Sequence, residues 1–176
     1  MRKIGLFLTV ALFCFGTMTM MQSCSKPCKD DPCGENGACV EDGKDYTCTC
    51  NTGYEGELCD VKMVTKFLGS YSASDDCTGA DYNGTVTASG STVDKILISN
   101  FGKYGCSPDW PTIEATVSGT DLTIIDYTGG CTGDEFTLKG TGSINSSGTV
   151  ITINYNGNAP PSIGGTYSCT ATLTLQ

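Results

Sequence analysis

The chain of 176 residues contains no histidine. That absence removes the commonest general base, the Ser-His and Cys-His nucleophile pairs, and every His-ligated metal site. Basic residues are also scarce, with 10 Lys and Arg against 19 Asp and Glu. Such an excess of acid repels phosphate backbones and anionic headgroups, so nucleic acid is not an expected partner. Tryptophan occurs once, at Trp110. Long apolar runs are missing beyond Ile4–Gly16. That run falls short of the roughly 20 residues needed to span a bilayer. With Arg2 and Lys3 ahead of it, it has the proportions of a secretory signal, with a signal-anchor helix as the other reading.

What the chain does have is cysteine, 12 in all. A signal over residues 1–23 takes Cys14, Arg2 and Lys3 with it, so 11 cysteines remain and the net charge moves from −9 to −11. An odd count in an exported chain gives one cysteine a separate fate, while the others are expected to form disulfides.

Six of them follow the spacing C-x4-C-x5-C-x8-C-x-C-x8-C from Cys28 to Cys59. So short a stretch, poor in apolar side chains, cannot bury a sufficient core, and covalent staples must hold it. Regular C-x2-C pairs are absent, which argues against a zinc site. With Gly53-Tyr54-Glu55-Gly56 between its fifth and sixth cysteines, the segment resembles an epidermal-growth-factor-like (EGF-like) module. The resemblance implies the pairs Cys28–Cys39, Cys33–Cys48 and Cys50–Cys59. Many such modules bind calcium through acids just before the first cysteine and an Asp or Asn after the third. Here Ser25-Lys26-Pro27 precedes Cys28, and Glu41 occupies the later place. A hard cation needs those oxygen ligands, so no calcium is expected here, and no other metal or cofactor. The module's expected role is a rigid spacer, with direct receptor binding as the alternative.

From residue 64 onward the composition changes: Thr, Gly and Ser supply 48 of 113 residues. No sustained helical period exists, and the recurring pattern is the alternation of half-buried strands. Tyr71 and Ala73 alternate with Ser72 and Ser74, and further strands fit 82–87, 93–101, 111–118, 121–127, 135–144, 148–155 and 166–175. Eight antiparallel strands with short links predict an all-β chain: a small EGF-like module followed by an up-and-down β-barrel, whose closure removes exposed edges. A two-sheet β-sandwich is the alternative. The expected layout is a signal at 1–23, a lipidated tether at 24–27, the EGF-like module at 28–60, a linker at 61–66 and the barrel at 67–176. Gly69-Ser70-Tyr71 resembles the Gly-x-Trp opening of calycins, with Tyr in place of Trp. The segment is also similar to a recurrent C-terminal domain of exported Bacteroidota lipoproteins, through Phe67-Leu68-Gly69, Asn100-Phe101-Gly102 and Cys169-Thr170-Ala171-Thr172. That resemblance implies no activity.

A meander sends alternate links to opposite ends. The links near 89–92, 118–120 and 145–148 are short and form a floor, whereas those at 75–81, 102–110, 128–134 and 156–165 are longer and form a rim. Function usually sits on such loops. Cys77 and Cys169 share the inward parity of Tyr71 on strands that become neighbours on closure, so Cys77–Cys169 is the expected staple, with Cys106–Cys131 tying two rim loops. Other pairings of these four stay open. The EGF-like module is expected at the floor.

The rim loop carries Tyr104, Asp109 and Trp110, which suit sugar stacking or a protein anchor. The competing role for Trp110 is a plug for the barrel mouth. Asn100 and Asp126 have inward parity and could orient a ligand, or be solvated strand ends. A two-carboxylate hydrolase would have to draw on Asp109, Asp126, Asp134 and Glu135, none of which the sequence brings together, so no enzymatic activity is expected. A carrier of a small apolar ligand inside the barrel is the runner-up.

Met21-Gln22-Ser23-Cys24 resembles a bacterial lipobox, which implies lipidation of Cys24 and membrane attachment through it; acyl chains contribute about 0.8 kcal/mol per buried CH2. The competing reading is ordinary secretion. Lys29-Asp30-Asp31 resembles the surface-export signal of Bacteroidota lipoproteins, or is a solvated acidic stretch. These features predict a non-catalytic outer-membrane surface lipoprotein whose EGF-like stalk presents a barrel rim to an extracellular protein or glycan.

Overall fold

In the computed structural model, residues 26–79, 81–103, 111–131, 134–160 and 164–176 are described, Cys131 and Asp134 by their backbone alone. The N-terminal module begins with two antiparallel strands, β1 (Gly37–Asp42) and β2 (Asp45–Cys50), in the register Cys39↔Cys48. Disulfides Cys28–Cys39, Cys33–Cys48 and Cys50–Cys59 cross it with Cα separations of 5.7, 5.5 and 5.2 Å. Cys33 and Cys59 are its only fully buried non-glycine residues among those described, so the module's core is built of sulfur. That is the arrangement a chain too short for an aliphatic core requires.

The stretch expected as a linker is fully structured. Val61–Lys62 form strand β4, paired with β3 (Tyr54–Glu55) of the EGF-like module. Met63–Phe67 then make a 3-10 turn that buries Val64 and Phe67 in the core of the following domain. Residues 61–66 therefore split between the two modules, because each half has its own strand or core to join.

Eight strands follow: β5 (Gly69–Asp75), β6 (Tyr82–Ala88), β7 (Lys95–Ser99), β8 (Thr112–Ser118), β9 (Asp121–Cys131), β10 (Asp134–Ile144), β11 (Val150–Asn158) and β12 (Thr166–Leu175). They form a closed antiparallel barrel in which β12 pairs with β5, Leu173 opposite Ala73. Closure leaves no exposed edge, which distinguishes the fold from the sandwich alternative. The inward positions carry Tyr71, Ile96, Ile98, Ile113, Ile153 and Leu173, all buried, within one continuous cluster that runs from Phe67 to Tyr155. Burying each of the larger aliphatic groups contributes about 1.5–3 kcal/mol. Side chains fill the barrel.

Two features of β9 depart from the alternation. Residues 128–134, expected as a rim loop, mostly extend the β9–β10 hairpin, with Thr128 opposite Thr137 and Cys131 opposite Asp134. Lower in the same hairpin, Tyr127 pairs with Leu138 and Ile124 with Gly140, so Ile125 and Asp126 both oppose Lys139. This β-bulge shifts the phase by one residue. Tyr127 takes the inward place, and Asp126, expected inside, is exposed on the outer wall.

The EGF-like module stands on the floor of the barrel. The Met63 amide donates to the Gly53 carbonyl at 2.8 Å, and the Gly119 amide donates to Met63 Sδ at 3.4 Å. Gly53 is buried with φ +88°, and a β-carbon there would collide with Val93 of the floor link 89–94. Lys66 pairs with Glu55 at 2.6 Å, both side chains half-buried; a pair still in reach of solvent adds about 1 kcal/mol at most. Glycine packing fixes the junction more than charge does. Among the described residues no helix is long and apolar enough to cross a membrane.

Candidate functional site

The upper third of the barrel is polar and aromatic. Asp75, the last residue of β5, continues the inward series Tyr71, Ala73 and is 4% exposed, the one buried charged residue among those described. Its Oδ2 accepts hydrogen bonds from Tyr155 Oη at 2.6 Å and Tyr82 Oη at 3.4 Å. Its Oδ1 accepts from the amides of Cys77 at 2.9 Å and Thr78 at 3.3 Å, closing an Asx-type turn. Four donors satisfy a carboxylate that would otherwise be costly to bury. Sequence reasoning passed over Asp75 by placing it in the rim loop; the signal was its phase, two residues beyond Ala73.

The phenols around it are donors. Burial pushes the Tyr82 hydroxyl above its ordinary range, and the neighbouring Asp75 charge adds to this against a lowering hydrogen bond with the Gly102 backbone. Burial alone raises Tyr71, whose hydroxyl donates to the Ser99 carbonyl at 2.7 Å. Edge-on ring pairs join Tyr71 to Tyr82 at 6.2 Å and Tyr155 to both Phe101 at 5.1 Å and Tyr167 at 6.2 Å. Such pairs add about 0.5–1.5 kcal/mol each. With four donors from β6, β11 and the turn after β5 on one carboxylate, this cluster is a clamp holding the β5 exit turn.

The same turn is tied to β12 by the Cys77–Cys169 disulfide, with a Cα separation of 5.6 Å, and by the Thr170 amide donating to Asp76 Oδ1 at 2.7 Å. Asp76, Cys77 and Cys169 cluster closely. The two sulfurs are bonded to each other, however, and a single carboxylate does not make a metal site.

Asn100 does not point a free amide into the interior. It lies in left-handed backbone with φ 57°, and its Nδ2 donates to the Asn83 carbonyl at 2.5 Å, while Phe101 fills the inward place beside it. Its Oδ1 is buried without a partner among the described residues. Tyr104, Cys106, Asp109 and Trp110 lie outside the described residues, as do the side chains of Cys131 and Asp134. The proposed Cys106–Cys131 bridge falls among them.

The outer wall formed by β9 to β12 carries a run of surface depressions. Three depressions of about 350, 400 and 430 Å3 lie along it. The first two share Asp126, Lys139 and Asn156, and the last two share Thr123, Thr141 and Asn154, so together they make one trough. Sequence reasoning concentrated on loops and missed this wall, because a bulge created its central feature.

Comparison with known proteins bears on the N-terminal module. Residues 28–58 match the EGF-like domain family. They are an EGF-like domain. Over 33 residues the chain is 48% identical to pig (Sus scrofa) zonadhesin, covering 19% of this chain and 1% of that protein. It is 41% identical over 39 residues to human Delta-like protein 3 and 46% identical over 41 residues to the human Delta and Notch-like epidermal growth factor-related receptor. These alignments cover 22% and 20% of this chain and 6% of each of those proteins. The chain thus spans a small fraction of these relatives, and the likeness is to the EGF-like domain. No solved structure matches the chain. An EGF-like domain joined to a side-chain-filled β-barrel fits a binding or recognition protein.

Proposed function

We propose that the chain is a non-catalytic cell-surface recognition protein, held to the outer membrane by lipid on Cys24. The EGF-like domain serves as its base and the far end of the barrel is the part it presents. The observation that carries this reading is the seating of the N-terminal domain on the barrel floor, through Gly53, Met63 and Val93. An anchor at the N-terminus then directs the opposite end, with Asp75, Asn100 and Asn158, away from the membrane. The partner is an extracellular protein or glycan. The continuous cluster from Phe67 to Tyr155 supports recognition at the surface over carriage of an apolar ligand inside. Lys29-Asp30-Asp31 acts as the label for export to the outer face. This reading gives calcium no part in the EGF-like domain, since Ser25-Lys26-Pro27 and Glu41 stand where oxygen ligands would be expected.

The test combines palmitate labelling with protease shaving of intact cells. Wild-type chain is expected to incorporate label, fractionate with the outer membrane and lose its barrel to external protease. Cys24→Ser should abolish labelling and release the protein. Labelling that survives Cys24→Ser, or a barrel that is protected on intact cells while being cut after lysis, would refute the reading.

A further inference from the structure

We infer that the trough on the β9–β12 wall is a binding site for an extended, neutral, polyhydroxylated chain, that is, a glycan. The inference rests on the recognition reading above but assigns the site to the wall rather than the rim. The trough runs from Thr137 and Asn158 near the rim to Ser143 and Thr152 near the floor. Six residues of strand at about 3.3 Å each make it about 20 Å long, which suits several units of a chain better than one small molecule.

Its chemistry narrows the occupant. The outward lining is mostly Thr, Ser and Asn, with Asp121 at its floor end, and matched rows cross the strands, such as Thr123 opposite Thr141, Thr141 opposite Asn154 and Asn154 opposite Thr170. Neighbouring rows thus offer hydroxyls and amides on a grid of about 4.8 Å between strands and 6.6 Å along them. At the centre stand one cation, Lys139, and one anion, Asp126, brought face to face by the bulge. Among the described residues, no hydrogen bond or ion pair engages the side chains of Asp126, Lys139 or Asn156. In contrast, Asn154 and Asn158 already accept from Thr170 and Thr166 at 3.1 and 2.9 Å. The carboxylate, ammonium and amide at this centre can together donate to and accept from vicinal hydroxyls.

Other occupants fit less well. A polyanion would meet a chain of net charge −9 with a single lysine in the trough. An apolar partner would find Ile125, 38% exposed, as the one large exposed hydrophobic of the wall among the described residues. An extended peptide needs an unpaired strand edge or pockets for alternate side chains, and the closed barrel offers no edge.

Affinity electrophoresis of the full chain tests this, in native gels cast with mannan, β-glucan, arabinoxylan or dextran, with polygalacturonate and gelatin as the anionic and peptide probes. At least one neutral polysaccharide should retard the protein. Asn156→Ala, and Asp126→Ala combined with Lys139→Ala, should each weaken that retardation by about three- to tenfold, the loss expected for one or two hydrogen bonds to a ligand on an exposed wall. All three positions are exposed, so the melting temperature should stay unchanged, and Thr87→Ala on β6 should bind as the parent does. Failure of every neutral probe, or retardation by polygalacturonate or gelatin alone, overturns the glycan site. Retardation that survives both wall substitutions overturns the wall assignment while leaving recognition by the barrel intact.

Discussion

Tyr155 donates its hydroxyl to the buried Asp75 carboxylate at 2.6 Å, across 80 residues of sequence. The bond joins β11 to the exit of β5 and lies under the disulfide that ties the same turn to β12. A hydrogen bond to a charged group contributes about 1.5–3 kcal/mol, and its loss leaves a buried charge partly unsatisfied. Tyr155→Phe should therefore lower the unfolding free energy by about 2 kcal/mol, read from urea denaturation with an unchanged slope. Asp75→Ala should cost at least as much, because it frees two amides and two phenols together. A change under about 0.5 kcal/mol in both variants would show that the cluster is not the clamp described.

Cys77 and Cys169 close a loop of 92 residues. In the chain-entropy view, such a cross-link restricts the unfolded state by about 4.6 kcal/mol, an upper figure for the folded protein. Cys77→Ser with Cys169→Ser should lower stability by about 2–4 kcal/mol while the far-ultraviolet spectrum keeps its strand signature. A double variant as stable as the parent would mean that the unfolded chain is already compact around this pair.

Much of the architecture could be read from residue order because the barrel obeys a two-residue period with few exceptions. The alternation of Tyr71 and Ala73, or Ile96 and Ile98, places one face inward wherever the pairing is regular. The cysteine spacing marked the EGF-like domain for the same reason: its core is covalent and therefore visible in sequence. Illegible features are those where backbone geometry breaks the period. The bulge opposite Lys139 turned Asp126 outward, and left-handed backbone at Asn100 diverted its amide to Asn83. Neither event has a residue signature as sharp as Asn-Gly in a hairpin. Asp75 was legible by phase but sits where a strand yields to a turn, and element boundaries are the least defined part of a sequence pattern.

The contact between Gly53 and Val93 predicts a rigid junction. Any β-carbon at Gly53 meets Val93, and φ +88° is itself unfavourable for other residues. Gly53→Ala should cost about 2 kcal/mol or more where the two domains meet. In the parent, nuclear relaxation should give one rotational correlation time for both domains. In Gly53→Ala the EGF-like domain should tumble faster than the barrel. Two distinct correlation times in the parent would refute a fixed base.

Glu114 gives the floor a dependence on acid. The Ser89 hydroxyl donates to its Oε1 at 2.8 Å and holds its carboxyl below the ordinary range, helped by Lys95, whose Nζ lies 3.4 Å from Oε2. A carboxyl depressed in the folded state favours folding above its unfolded pKa of about 4.3, and that contribution disappears as the pH falls through the lower folded value. The bond links the floor segment 89–94 to β8, so its loss should loosen the surface on which the EGF-like domain stands. Glu114→Gln should melt below the parent at about pH 7, and the gap should narrow as the pH falls below the unfolded value of about 4.3. The position is well solvated, so the gap is small and is best read as the difference between two melting curves recorded at each pH. A gap that stays constant through the acid range would assign the stabilisation to packing rather than to the ionised carboxylate.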